Sequence, residues 1–435
     1  MSHDHPITDS ANERHVQPGI GSTDRAREAS TDRTSPGGRP RPGRLLWQAP
    51  ATRPARRDSQ TPAAVRKIPP ELRRRKTSLA SIPQWHRRLV VRLQEDSQFL
   101  RSIVQLVFAL LCVWIGIEFH LFMRWGHSAG AAMYVSRPPG VEGFLPISAL
   151  MSLKYWIETG IVNTIHPSGM FILLAILALG LFLKKAFCGW LCPVGTLSES
   201  LWMLGQKIFG RNLRVPRWLD YPLRALKYLL LAFFLVAILG MGAQELRVFI
   251  ESPYNKMADV KMYLFFAELS SFALWTILAL LALSVVIKNF WCRYLCPYGA
   301  LLGALSWLSP VKITRNASSC IDCELCTRAC PSHISVHKVR RVWSDECMSC
   351  LACTEACPVI NTLDLRIRKT SRPVPSWVFA ILVAGVFVAT TGLAMLAGHW
   401  TNSIPRDEYL RRFQQINSPV YQHNQGNVPA YGPND

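Results

Sequence analysis

Apolar residues gather into five charge-poor stretches, Ile103 to Met123, Gly169 to Leu183, Tyr228 to Ala243, Leu269 to Ile287 and Trp377 to Ala397. A helix needs about twenty apolar residues to cross a bilayer. The first and last stretches suffice as they stand; the middle three must borrow flanking residues such as Phe187 or Leu264. The pattern predicts an α-helical integral membrane protein of about five spans. A shorter apolar run, Leu145 to Ile157, fits an interfacial or re-entrant segment. Residues 1–101 lack a sustained apolar period and are rich in Pro, Ser, Thr and Gly, so they read as a disordered tail without a cleavable signal peptide.

This pattern divides the chain into a basic tail over 1–101, a four-span membrane domain over 102–310, a cysteine-rich segment over 311–370, a fifth helix over 371–398 and a short tail over 399–435. Basic residues flank spans on the cytoplasmic side. Lys184, Lys185, Lys207, Arg211, Arg214, Arg217, Arg224 and Lys227 separate the second and third stretches, and 288–372 is also rich in Lys and Arg. The opposite loops hold fewer, which places the N-terminus and the cysteine-rich segment inside and the C-terminus outside.

The net charge of +21 raises the question of nucleic acid, but the charge sits mainly in the tail and beside the spans, so no nucleic-acid partner is expected. Arg73, Arg74, Arg75 and Lys76, with Arg87 and Arg88, are either solvated or laid against anionic lipid. The chain has no Ser/His/Asp set, P-loop or Gly-x-Gly-x-x-Gly fingerprint to support hydrolysis or direct NAD binding.

Of the 13 cysteines, 12 fall into four groups; Cys112 stands alone in the first apolar stretch. In an inward-facing segment such groups argue for metal or redox chemistry rather than disulfides. Two groups, Cys320-x-x-Cys323-x-x-Cys326-x-x-x-Cys330-Pro331 and Cys347-x-x-Cys350-x-x-Cys353-x-x-x-Cys357-Pro358, repeat the run of bacterial two-cluster ferredoxins. Three thiolates on a tight loop cap one cubane and the fourth reaches the other. One [4Fe-4S] cluster is then assigned to Cys320, Cys323, Cys326 and Cys357, and the second to Cys330, Cys347, Cys350 and Cys353. Tetrahedral zinc also accepts four thiolates, but two copies of this spacing ending in Cys-Pro argue against it.

The other groups, Phe187-Cys188-Gly-Trp-Leu-Cys192-Pro193-Val-Gly195 and Trp291-Cys292-Arg-Tyr-Leu-Cys296-Pro297-Tyr-Gly299, are one motif used twice at an offset of 104 residues. If each pair is helical, its two sulfurs share a face one turn apart, and the proline ends or kinks that helix or opens the next. Packed together, the repeats could gather Cys188, Cys192, Cys292 and Cys296 into a metal or iron–sulfur site. Two reversible thiol pairs and plain packing are the alternatives.

Two Cys-x-x-x-Cys-Pro motifs at cytoplasmic span ends, followed by a two-cluster ferredoxin segment, resemble the membrane polyferredoxins grouped with NapH, NosR and MauN over about residues 100–375. The order of parts is also similar to CcoG, more distantly. Neither the flavin-bearing outer domain of NosR nor the outer domain that ends CcoG-type proteins is expected here, since residues 1–101 read as disordered and the tail after Ala397 is short. The resemblance implies an iron–sulfur electron-transfer protein of the bacterial inner membrane, with a partner redox protein or metalloenzyme.

Two functional readings follow. In one, the protein exchanges electrons between the quinone pool and a partner respiratory enzyme. In the other, it is an assembly or maturation factor reducing a metal such as copper, or thiols, for a partner metalloenzyme. A quinol site needs a membrane-edge pocket and a proton acceptor. Glu118, His120, Glu158, His166, Glu251 and Glu268 are the candidates, each weighed against an ordinary interfacial role.

Overall fold

The computed structural model describes residues 68–69, 71–74, 84–367 and 372–421. Helices α1 (Trp85–Glu95) and α2 (Ser97–His127) are separated by Asp96, whose carboxylate caps α2 by accepting from the N–H groups of Gln98 and Phe99. A hairpin of α3 (Pro146–Thr159) and α4 (Pro167–Phe182) follows, then the short α5 (Ala186–Trp190) and α6 (Pro193–Phe209). After α7 (Arg217–Leu239) come α8 (Ala243–Glu251), α9 (Pro253–Lys256) and α10 (Ala258–Ala267). The chain continues through α11 (Ser271–Val286), α12 (Phe290–Tyr294) and α13 (Pro297–Leu305).

The duplication is structural as well as sequential. Helices α11, α12 and α13 begin at the same 104-residue offset from α4, α5 and α6. The repeats also exchange partners: α6 packs on α11, and α13 packs on α4. That reciprocal packing brings the two helix breaks face to face.

The cysteine-rich segment is closed by an antiparallel pair, β1 (Lys312–Arg315) and β2 (Leu363–Arg366), in which Ile313 faces Leu365. Between the strands lie the one-turn helices α14 (Leu325–Arg328) and α15 (Ala352–Glu355). Helix α16 (Ser376–Leu396) then packs on α4 and α2, and α17 (Arg406–Gln414) returns to the far end of α2. One apolar core joins Trp190 and Leu191, the strand residues Ile313 and Leu365, and Phe379 of α16. The ferredoxin-like segment is thus seated on the first repeat.

Among the described residues three helices, α2, α7 and α16, are long and apolar enough to cross a membrane. Helices α10 and α11 pass that test only together, and they are bent by 82° where Glu268 and Ser270 interrupt the apolar run. Helix α4 has 16 residues, about 24 Å at 1.5 Å per residue, against a hydrocarbon core of about 30 Å. Among the described residues, length and composition therefore support three or four spans. The Leu145 to Ile157 run forms α3, which packs along α4.

The end of the 1–101 stretch departs from the disorder expected of it, since α1 starts at Trp85 and α2 at Ser97. Trp85, Leu89 and Val90 of α1 are exposed beside Arg88 and Arg92, the make-up of an interfacial helix. Arg73 pairs with Val359, and the Arg74 N–H donates to the Pro358 carbonyl at 2.8 Å. The Arg74 guanidinium also reaches the Thr354 carbonyl, so Arg74 is held against the ferredoxin-like segment. Residues 1–67, 70 and 75–83, with Arg75 and Lys76, lie outside the described residues. The 399–435 tail contributes α17, whose Tyr409 and Phe413 pack edge-on against Phe122; 422–435 also lie outside the description.

Candidate functional site

The two ferredoxin runs fold alike. In each, the residues either side of the middle cysteine take left-handed backbone angles: Asp322 and Glu324 around Cys323, Ser349 and Leu351 around Cys350. None is glycine, so each carries a local strain that the surrounding fold sustains. The curl turns three successive thiols toward one centre, a feature the cysteine spacing foretells without naming these residues.

Two separate cavities result. One is lined by Cys320, Cys323, Cys326 and Cys357, the other by Cys330, Cys347, Cys350 and Cys353. Each wall takes three cysteines from one run and the fourth from the other. Burial pushes the Cys326 thiol up to about 11 and Cys330 up to about 12, and raises Cys350, Cys353 and Cys357; the Arg74 cation opposes the rise at Cys357. Four thiols lining one cavity are the donor set a cubane takes, so each set fits one.

At each membrane-edge motif the helix does not run through the pair. The short helix ends after the first cysteine, and the second caps the next, with Pro193 and Pro297 at its first position. The Gly195 N–H donates to Cys192 Sγ at 3.4 Å and the Gly299 N–H to Cys296 Sγ at 3.3 Å. A Cβ at Gly195 would lie 2.4 Å from the Cys188 carbonyl oxygen, which explains the glycine.

All four cysteines interact electrostatically with one another. Burial pushes Cys188 up to about 11 and Cys192 up to about 12, and raises Cys292 and Cys296. Lys185 is buried beside Cys188 and Cys296, so an ammonium stands where thiolate charge would need balance. Among the described residues no three His, Cys, Asp or Glu groups converge on a single-ion site. All twelve grouped cysteines are free thiols.

The first motif touches the second ferredoxin run directly. Trp190 Nε1 donates to the Ser349 carbonyl at 3.0 Å. A Cβ on Gly189 would lie 2.8 Å from the Met348 oxygen. From α2, Gln105 donates to the Gly189 carbonyl at 3.1 Å and Gln98 to the Cys350 carbonyl at 2.9 Å. Lys184, one of the basic residues between the second and third apolar stretches, is fully buried and donates to the Val342 carbonyl.

The proposed proton acceptors do not assemble. His120 Nδ1 lies 2.7 Å from the Tyr263 hydroxyl, Glu158 pairs with Lys154, Glu251 pairs with Arg247 on the surface, Glu118 is half-buried in α2, and Glu268 is exposed at the α10 to α11 bend. Only His166 is deeply buried, in a network that sequence reading missed. Arg137 donates to Glu142 at 2.7 Å, pairs with Asp259 and faces His166 Nδ1, while His166 Nε2–H donates to the Asn255 carbonyl at 2.7 Å. Burial alone would raise the Glu142 carboxyl, but Arg137, His166 and Ser168 hold it down at about 2. Charged residues scattered among loops leave no periodic signal for such a cluster.

The cysteine cavities seated on membrane-length helices define an iron–sulfur membrane protein of electron transport. A family model described as a 4Fe-4S binding domain matches residues 165–212 and again 270–316, one match on each repeat. A second, described as a 4Fe-4S dicluster domain, matches 312–358. The chain is 45% identical over 328 residues to YccM of Escherichia coli (strain K12), described as an electron transport protein, covering 74% of this chain and 91% of YccM. It is 31% identical over 185 residues to the regulatory protein NosR of Pseudomonas aeruginosa, covering 41% of this chain and 24% of NosR. It is 24% identical over 202 residues to the methylamine utilization ferredoxin-type protein MauN of Methylobacillus flagellatus, covering 46% and 64%. No solved structure matches. The chain belongs to the NapH/NosR/MauN-like family of 4Fe-4S membrane proteins.

Proposed function

We propose that the protein relays electrons between the quinone pool of the bacterial inner membrane and a partner respiratory redox enzyme. Cys320, Cys323, Cys326 and Cys357 hold one [4Fe-4S] cluster and Cys330, Cys347, Cys350 and Cys353 a second. Cys188, Cys192, Cys292 and Cys296 hold a further iron–sulfur centre at the membrane edge. When bound, such clusters supply reversible one-electron chemistry.

The observation that carries this reading is the direct seating of the Cys188 to Cys192 loop on the Cys347 to Cys350 loop through Trp190 and Ser349. The chain's own residues bury the cysteine sets in part and aim N–H donors at Cys192 and Cys296. The N-terminus and ferredoxin-like segment lie in the cytoplasm and the C-terminus in the periplasm. Helix α4 completes a fifth crossing despite its length, because α3, α13 and α16 rather than lipid surround it.

The test is anaerobic purification with iron and sulfide quantified together, followed by addition of a quinol analogue in membranes. About twelve irons per chain and rapid cluster reduction are expected. About eight irons would remove the membrane-edge centre. Clusters indifferent to quinol and quinone would remove the quinone link and favour the maturation role.

A further inference from the structure

A cavity of about 240 Å³ lies between the first turns of α7, the residues leading into α12 and the loop after Cys330. Its wall carries Arg214, Arg217, Arg224, Lys288 and Arg293 against two carboxylates, Asp220 and Glu346. Both carboxylates are already engaged. Asp220 accepts two 2.9 Å bonds from Arg293, one of 2.7 Å from Arg224 and one of 2.7 Å from the Tyr294 hydroxyl, while Glu346 pairs with Lys227. The wall therefore keeps an excess of positive charge in a concave space, where low-dielectric surroundings strengthen its field.

Lys288 is the clearest part of that excess. It is 8% exposed, its ammonium lies 4.6 Å from the centroid of the Trp202 ring, and no carboxylate among the described residues pairs with it. An ammonium withdrawn from water without a counter-charge is costly, and an anion in the cavity would offset that cost. Arginines at the same wall suit an anion with several oxygens, since the guanidinium fork matches phosphate geometry.

We propose that this cavity binds a phosphate group, with Arg217 and Lys288 as its cations and the Asp220-held Arg293 as a fixed wall. Two sources share that chemistry. Arg217 opens a helix of membrane-spanning length, and the neighbouring Trp218 and Tyr221 are 77% and 64% exposed, the aromatic pattern of a headgroup layer. An anionic lipid therefore reaches the mouth from the bilayer, and a soluble phosphate compound reaches it from water. The bound anion sits beside the Cys330 loop, where the His333 N–H donates to the Cys330 carbonyl at 3.2 Å.

The full-length protein in uncharged detergent is heated with inorganic phosphate, or with chloride at equal ionic strength, and separately in phosphatidylcholine nanodiscs with and without phosphatidylglycerol. The unfolding midpoint is expected to rise with at least one phosphate probe and not with chloride. A rise with inorganic phosphate identifies a soluble ligand; a rise with phosphatidylglycerol alone identifies a headgroup. Arg217→Gln, at an exposed position, is expected to weaken the apparent affinity about tenfold with iron content unchanged. Lys288→Met is expected to do the same, and if it fails to fold, Arg217→Gln carries the test. A midpoint that neither probe moves beyond chloride overturns the proposal, as does an Arg217→Gln response equal to that of the unaltered protein.

Discussion

The indole N–H of Trp190 donates to the backbone carbonyl of Ser349 at 3.0 Å, joining the loop of the first membrane-edge cysteine pair to that of the second ferredoxin run. Trp190 is fully buried and its ring meets Phe379 edge-on at 5.5 Å. Trp190→Phe keeps most of the packing and orphans the carbonyl, at a cost of about 1–3 kcal/mol. Redox titration followed by EPR is expected to show a shifted midpoint for the centre beside Ser349 and an unchanged one for the centre at Cys320 to Cys326.

The two motif glycines are not equivalent. A Cβ at Gly195 would lie 2.4 Å from a backbone oxygen, whereas at Gly299 the nearest atom, also a backbone oxygen, is at 3.1 Å. Gly195→Ala is therefore expected to lower the unfolding midpoint and the iron content of the membrane-edge centre more than Gly299→Ala. Equal loss in both variants would contradict this difference.

Crossing of the fourth cysteines predicts which thiols become reactive. In Cys357→Ser, iodoacetamide labelling read by mass spectrometry is expected at Cys320, Cys323 and Cys326, while Cys330, Cys347, Cys350 and Cys353 stay protected. Cys330→Ser is expected to expose Cys347, Cys350 and Cys353 instead. The reverse pattern would show that each run closes on itself.

The buried Glu142 network predicts an acid limit to stability. Its carboxyl is held at about 2 against an ordinary value of 4.5, so below pH 4.5 the unfolded chain takes up a proton that the folded chain refuses. The contribution is complete above pH 4.5 and is lost as the pH falls toward 2, by about 3 kcal/mol in all. Unfolding midpoints in detergent should fall across that window, and Glu142→Gln should flatten the fall while lowering stability at neutral pH.

The cysteine chemistry was the most legible part of the chain, because loop length and left-handed turns act within a dozen residues. The long helices α2 and α16 were legible for a similar reason, since apolar content and length act along one segment. Helix α1 was hidden because composition averaged over 1–101 drowned the local spacing of Trp85, Leu89 and Val90. Span number was less legible, because α4 is only 16 residues long and the apolar run across α10 and α11 is bent by 82° where Glu268 and Ser270 interrupt it.

Taken by itself, the sequence determined two ferredoxin runs and a duplicated Cys-Pro motif, because spacing constrains the backbone locally. Only the tertiary structure decided that α6 packs on α11 and α13 on α4, and so that Cys188, Cys192, Cys292 and Cys296 lie together. It also decided that Lys184 and Lys185 are buried, that Arg137 gathers Glu142, Asp259 and His166, and that Arg217 and Lys288 share a cavity wall. Those relationships join residues far apart in the chain, and their free energy comes from packing and charge pairing that no local pattern encodes.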